Sequence, residues 1–118
     1  MYMFFKPNAK RMEKWAKNGN VEKLDKIISG NNVELRNEAF KAIGKCGNLD
    51  TINFITSYTL HPDAEIRKLT AQAMGETGEE RTLEFLRKLA KADDNEEVRE
   101  AAKNAISQVN KALKHADE

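Results

Sequence analysis

The chain has 118 residues, of which 40% are hydrophobic and 33% charged, and its formal net charge is +1. This length suits one domain, since domains commonly hold about 100–150 residues, and the near-neutral balance excludes a strong overall attraction to nucleic acid or acidic membranes. No apolar run approaches the ~20 residues that a membrane-spanning helix requires, and the opening apolar run is shorter than a signal-peptide core. We therefore expect a single domain over residues 1–118 that spans no membrane.

Cysteine usage bears on the compartment. Cys46 is the only cysteine, so no disulfide can form within the chain. It lies near the end of a predicted apolar helix stripe, which favours a small core residue over a reactive thiol. A reducing, cytoplasmic location is the simplest expectation for such a chain.

The first predicted element is a helix that begins near Pro7 and carries Met12, Trp15 and Ala16 at helical spacing. Trp15 is expected to be packed rather than functional. Residues 1–5, which precede this helix, are large and apolar. Two interpretations of that segment are open: it covers the exposed end of the core, or it forms an interface with a partner or a second copy of the chain.

Six further helices follow a turn at residues 18–20, and each is recognised from an apolar stripe at a period of 3.6 residues. They are expected over residues 21–29, 33–46, 48–60, 63–77, 80–92 and 96–115. The last helix is the longest, and its polar outer face is suited to closing the C-terminal end of a stack.

Three of these helices belong to copies of one sequence unit. The copies lie at residues 31–47, 62–78 and 94–110. Arg36, Arg67 and Arg99 occupy corresponding positions, 31 and then 32 residues apart. Units that recur at such a length are typical of stacked helical repeats. A shorter apolar pattern accompanies each copy, so the unit is predicted to contain two helices joined by turns.

Other positions shared by the copies predict where their helices begin and end. Asn32, Asp63 and Asn95 are short polar residues placed to cap helix N-termini. Gly47 and Gly78 are placed to end helices.

The central copy predicts the core and the contacts of the arginines. Ile66 and Met74, together with Leu86 of the next helix, are expected in the core. The three arginines are expected to form a ladder along one flank, in which each reaches the cap residue or a carboxylate of a neighbouring repeat. Their role is predicted to be structural.

The unit resembles the HEAT-like repeat, in the short form also found in phycobilisome-lyase-type proteins. The resemblance rests on the cap–x–x–aliphatic–Arg run, the paired alanines and the Gly-x-x-Gly segments 44–47 and 75–78. It covers the chain from Asn18 onward and implies an all-α, right-handed α-α superhelix. That fold would contain about three helix pairs, at residues 18–47, 48–78 and 79–115, after an N-terminal half-repeat at residues 1–17.

No catalytic or metal-binding pattern is present in the sequence. His61 and His115 have no carboxylate or thiol cluster beside them at ligand spacing. HEAT-like enzymes such as deoxyhypusine hydroxylases place His–Glu pairs just after the repeat arginine to bind iron. The matching positions here, 37–38, 68–69 and 100–101, contain no histidine. We therefore expect no enzyme activity, no metal and no cofactor.

A helical wheel at about 100° per residue shows which residues of the three copies share a face. The flanks of neighbouring repeats should join Phe40 to Leu69 and Ala71 to Ala101. The residues left over are polar and, by the resemblance, lie on the concave side, where a partner is expected to bind. They are Asn37, Lys41, Lys68, Gln72, Glu100 and Asn104.

The leading functional hypothesis is a non-catalytic scaffold that mediates protein–protein interaction. One alternative, implied by the resemblance, is a phycobilin-lyase-like accessory protein that holds a chromophore. Another is a nucleic-acid-binding domain, which would need a basic inner face and is less expected. Residues 1–59 carry 10 Lys/Arg and 6 Asp/Glu, whereas residues 60–118 carry 10 and 13. This asymmetry is compatible with a monomer or with weak head-to-tail self-association.

Overall fold

The structure, a computed structural model, describes residues 7–116, which form seven α-helices and no strand. The helices are α1 (Ala9–Lys17), α2 (Val21–Ser29), α3 (Val33–Cys46), α4 (Leu49–Thr56), α5 (Ala64–Thr77), α6 (Leu83–Ala92) and α7 (Glu96–Ala116). The predicted helices 48–60 and 80–92 are α-helical only in part, because 3₁₀ turns cover Ser57–Leu60 and Glu80–Thr82. The apolar segment 1–5 lies outside the described residues.

Polar side chains cap the N-termini of the longer helices, α3, α5 and α7. Asn32 Oδ1 accepts a hydrogen bond from Leu35 N at 3.0 Å, and Asp63 Oδ1 accepts one from Glu65 N at 2.9 Å. Asn95 caps α7 in the same way. Each bond satisfies a backbone N–H that the first helical turn leaves without a helix partner, so the predicted caps are confirmed.

The predicted helix ends are also confirmed. Gly47 ends α3 and Gly78 ends α5. Gly78 has a φ of +64°, a left-handed conformation that glycine adopts without the steric penalty of a side chain.

The helices form two layers. Helices α1, α3, α5 and α7 pack side by side in chain order as the inner layer, and α2, α4 and α6 form the outer layer. Inner neighbours pack over long stretches, whereas α4 touches α2 only slightly and has little contact with α6. A closely packed layer beside an open one favours curvature toward the inner layer. The result is an all-α superhelix, 18 Å across its shortest axis, which is about two helix diameters.

The core lies between the layers. Ile66, Met74 and Leu86 are at most 3% exposed, as predicted. Thr51 of α4 is fully buried and donates its hydroxyl to Ala16 O at 2.7 Å. The outer helix of one pair therefore caps the end of α1.

Two glycines inside helices allow inner neighbours to approach closely. A Cβ built on Gly44 of α3 would lie 2.7 Å from Glu76 Cβ, and one on Gly75 of α5 would lie 2.8 Å from Ala105 Cβ. Carbon atoms pack at about 3.5–4.0 Å, so a side chain at either position would push the helices apart. The first glycine of each Gly-x-x-Gly segment therefore sets helix spacing, while the second ends the helix.

The same register extends to α1. An ion pair of 3.5 Å joins α1 to α3. Its two residues occupy the same repeat positions as the residues at the two close approaches of the glycines. The three corresponding pairs are Glu13 with Lys45, Gly44 with Glu76, and Gly75 with Gln108. We infer that α1 occupies the place of an inner helix whose outer partner is missing from residues 7–116.

The arginine prediction was wrong in part. Arg36 donates to the carbonyl oxygens of Ile28 and Gly30, at 2.9 and 2.7 Å, and Arg99 donates to Asp93 O at 2.7 Å. Gly30 and Asp93 lie in the turn before each arginine's own helix, and Ile28 lies in the last turn of α2. Both side chains fix the turn inside a helix pair, because its backbone carbonyls would otherwise lack partners there.

Arg67 is the arginine that reaches a neighbouring repeat. Its Nε lies 2.8 Å from Asp93 Oδ2, and its Nη2 lies 3.1 Å from Asp93 Oδ1 and 3.1 Å from Asp94 Oδ1. The same side chain donates to His61 O at 2.8 Å. It therefore ties the turn before α5 to the turn before α7.

The Arg67–Asp93 pair is largely out of water, with side chains 13% and 5% exposed. Burial alone would raise the pKa of the Asp93 carboxyl. Hydrogen bonds from Arg67 and from the backbone N–H of Asn95 outweigh that effect, so the pKa lies below its usual value. The carboxylate therefore stabilises the fold above the unfolded pKa of about 3.9, and the contribution is lost as pH falls through the folded pKa.

Asp93→Asn should lower the free energy of unfolding at neutral pH by about 3 kcal/mol, because it removes the buried one of the two carboxylates that pair with Arg67 and leaves only the exposed Asp94. Urea denaturation measures this directly. The difference from wild type should shrink below about pH 4, where wild type loses the same contribution. Asp94→Asn is the matched control: its side chain is 92% exposed, so the change should stay below ~0.5 kcal/mol. Equal effects of the two variants would contradict this account.

Candidate functional site

The six polar residues predicted to face a partner are brought together on the inner layer. They line two adjoining depressions that share Gln72. Helix α3 contributes Asn37 and Lys41, α5 contributes Lys68 and Gln72, and α7 contributes Glu100 and Asn104. The surface that these residues form is called the inner face below. Four of them are exposed, whereas Asn37 and Lys68 are half-buried.

The larger depression, the α3/α5 groove, has a volume of about 630 Å³. Its floor contains Phe40, Leu69 and Ala73, and its rim contains Lys41 and Gln72. The first two floor residues were predicted to join the flanks of these helices, and they line the same groove. An apolar floor with a polar rim is a common form of binding cleft.

Phe40 is held from behind by an aromatic cluster. It is 2% exposed, and its ring lies edge-on to Tyr58 with the centroids 6.0 Å apart. Tyr58 also packs edge-on against Phe54, at 5.2 Å, and donates its hydroxyl to Asp25 of α2. Burial, and then the hydrogen bond to Asp25, raise the pKa of Tyr58, so the phenol stays protonated. The groove floor is therefore fixed by the outer layer.

Asn37 carries an unusual polar atom. Its Oδ1 is buried and has no hydrogen-bond partner. A buried acceptor without a donor costs about 1–3 kcal/mol, so we expect this side chain to reduce the stability of the fold. Sequence reasoning placed Asn37 on the face but could not detect the missing partner, because that depends on how deeply the side chain sits between α3 and α5.

The smaller depression, the α5/α7 depression, has a volume of about 400 Å³. Glu96, Glu97 and Glu100 line it together with Lys68. Lys68 Nζ lies 3.8 Å from Glu97 Oε2. The Glu97 side chain is 73% exposed, so this ion pair contributes little to stability.

Lysines dominate the inner face on its N-terminal side. Lys41 and Lys45 of α3 are exposed, and each has one weak ion pair, with Glu38 at 3.9 Å and with Glu13 at 3.5 Å. Lys45, which lines the α3/α5 groove, is not among the six predicted residues.

Trp15 and Cys46 were both predicted to be packed residues. Trp15 is half-buried against the core, with Lys23 Nζ 5.4 Å from its ring centroid, as expected of a packed residue. Cys46 is only half-buried at the end of α3, so it lies at the margin of the core rather than inside it.

Residues 7–116 contain no group of three or more His, Cys, Asp or Glu side chains placed to hold a metal ion. In the same residues, no helix is both long and apolar enough to cross a membrane.

Comparison with known proteins decides the family. The family model for HEAT repeats matches residues 21–107, well over half of the chain. The chain is a HEAT repeat protein. Neither the curated proteins nor the solved structures gave a significant match. The match begins at α2 and ends within α7, so in this HEAT repeat protein the three helix pairs fall within the family pattern and α1 precedes it.

Asn37→Leu should raise the free energy of unfolding by about 1 kcal/mol, because it replaces a buried acceptor without a partner by an apolar group of similar size. Chemical denaturation of the two proteins under one condition measures the difference. Asn104→Leu is the matched control, since Asn104 is exposed on the same face and its change should stay within about 0.5 kcal/mol. Destabilisation by Asn37→Leu alone would show that its amide has a structural partner.

Proposed function

We propose that this HEAT repeat protein is a non-catalytic scaffold whose inner face binds a segment of another protein. The observation that carries the proposal is the α3/α5 groove, an apolar recess in a surface that is otherwise polar. The six polar residues line this groove and the adjoining α5/α7 depression, at corresponding positions on three helices. Packing accounts for the core and the glycines. Backbone acceptors account for Arg36 and Arg99, and carboxylate partners account for Arg67. None of these contacts accounts for the six polar side chains.

Affinity at this face should be modest and tuned by charge. The side chains that dominate tight interfaces are most often Trp, Tyr and Arg. Neither Trp15 nor Tyr58 is exposed, and Arg67 is occupied by its carboxylate partners. The available anchor is the apolar groove floor, and the rest of the face offers lysines, glutamates and amides.

The alternatives receive less support. A phycobilin-lyase-like role would need a large apolar cleft for a chromophore, whereas the lining of this groove includes the charged residues Lys41, Lys45 and Glu76. A nucleic-acid-binding face would need to be basic throughout, whereas Glu96, Glu97 and Glu100 line its C-terminal side. The proposed scaffold acts in the cytoplasm as a monomer or a weakly self-associating protein.

Affinity capture from the native host followed by cross-linking and mass spectrometry tests the proposal. The captured partner should cross-link to Lys41 and Lys68 on the inner face rather than to Lys26 and Lys88 on the outer helices. Partner recovery should fall about fivefold or more for Lys41→Ala with Gln72→Ala, which corresponds to about 1 kcal/mol.

Lys26→Ala with Lys88→Ala is the matched control, since both lysines are exposed on outer helices, and it should leave recovery unchanged. Cross-links concentrated on the outer helices would contradict the proposal. Enzyme-like turnover of a substrate by the purified protein would contradict it as well.

A further inference from the structure

The basic side of the inner face is larger than the six predicted residues indicate. Lys10 and Lys14 of α1 lie one repeat before Lys41 and Lys45 of α3, and all four side chains are exposed. Residues four apart on a helix lie on one face. The ion pair between Glu13 and Lys45 shows that α1 packs beside α3 in this register. The four lysines therefore form a patch across two neighbouring helices, called the basic end below.

The acidic groups near this patch do not neutralise it. Glu13 and Glu38 each lie near one lysine, at 3.5 and 3.9 Å, but the two paired lysine side chains are 70% and 76% exposed. In the described part of the chain, no ion pair is formed by Lys10 or Lys14. The basic end keeps an excess of positive charge that faces solvent.

The opposite side of the inner face is acidic. Glu96, Glu97 and Glu100 line the α5/α7 depression, where Lys68 is the one cation among its lining residues. These glutamates are exposed and are called the acidic end below. Between the two ends lies α5, which contributes one cation, Lys68, and one anion, Glu76, to the lining of the depressions.

The apolar recess lies between these ends. Phe40 and Leu69 line the α3/α5 groove, so the order across the inner face is basic end, apolar groove, acidic end. Neighbouring helices lie about 8–10 Å apart, so the distance from α1 to α7 is about 25–30 Å. An extended chain of about eight or nine residues covers this distance at ~3.3 Å per residue.

We propose that the partner of this face is a charge-segregated segment of another protein. Acidic residues of the segment lie over the basic end, an apolar residue enters the α3/α5 groove, and basic residues lie over the acidic end. The inference rests on the proposed scaffold function and adds the chemistry and orientation of the partner. Complementary charge favours such a segment and repels one with the opposite order.

Selection of a random 12-residue peptide library on the intact protein tests the inference. Enriched peptides should carry acidic residues at one end, basic residues at the other and an apolar residue between them. A synthetic copy of an enriched peptide should bind at least tenfold more tightly than a peptide of the same composition with alternating charges. Binding should weaken as salt rises, because exposed ion pairs are screened.

Charge reversal distinguishes lysines that bind the peptide by their charge from lysines that only stabilise the fold. The double variant Lys10→Glu with Lys41→Glu should bind the enriched peptide at least tenfold more weakly than wild type. A peptide with lysines in place of the acidic residues should bind that variant with restored affinity. Lys26→Glu with Lys88→Glu, on the outer helices, should leave binding unchanged. Thermal unfolding of each variant checks that it is folded.

The outcomes separate the two proposals. Enriched peptides that bind the inner face without charge segregation, or whose affinity survives Lys10→Glu with Lys41→Glu, would overturn the inference and leave the scaffold function standing. A selection with no peptide that competes at the inner face would overturn both. Concentration-dependent dimerisation that blocks the selected peptides would identify a second copy as the occupant and would also overturn the inference.

Discussion

The close approach of successive inner helices is the constraint on which the rest of the structure depends. Gly44 brings α3 against Glu76 of α5, and Gly75 brings α5 against Ala105 of α7. Because the outer helices have little contact with one another, short spacing in the inner layer favours curvature toward that layer. The same spacing brings the polar residues of α3, α5 and α7 together along two adjoining depressions.

Polar contacts fix the angle between neighbouring pairs once the inner helices are close. Arg67 ties the turn before α5 to Asp93 before α7, and Tyr58 joins the second pair to Asp25 of the first. Both contacts lie away from the six polar residues of the inner face. None of the six polar residues takes part in either contact, so the charge pattern of the face can change at little cost to the fold.

Periodicity in the sequence predicted the helices, their caps and the core. Ile66 repeats at a fixed position of each unit and is buried for that reason. Distances between helices were not predictable, because a helical wheel gives the direction of a side chain but not its depth. The spacing role of Gly44, the backbone acceptors of Arg36 and the missing partner of Asn37 Oδ1 all depend on depth. The inclusion of Lys10 in the face depends on how α1 packs beside α3.

Gly75→Ala tests whether the close approach of α5 and α7 is required for the fold. Ala in place of a helical Gly ordinarily stabilises by about 0.5–1 kcal/mol. Here the added Cβ would lie 2.8 Å from Ala105 Cα, so the free energy of unfolding should fall by about 1–3 kcal/mol, as overpacking costs. Ser107→Ala, at the corresponding exposed position of α7, should be nearly neutral. A Gly75→Ala protein more stable than wild type in urea denaturation would contradict the claim that this approach sets the fold.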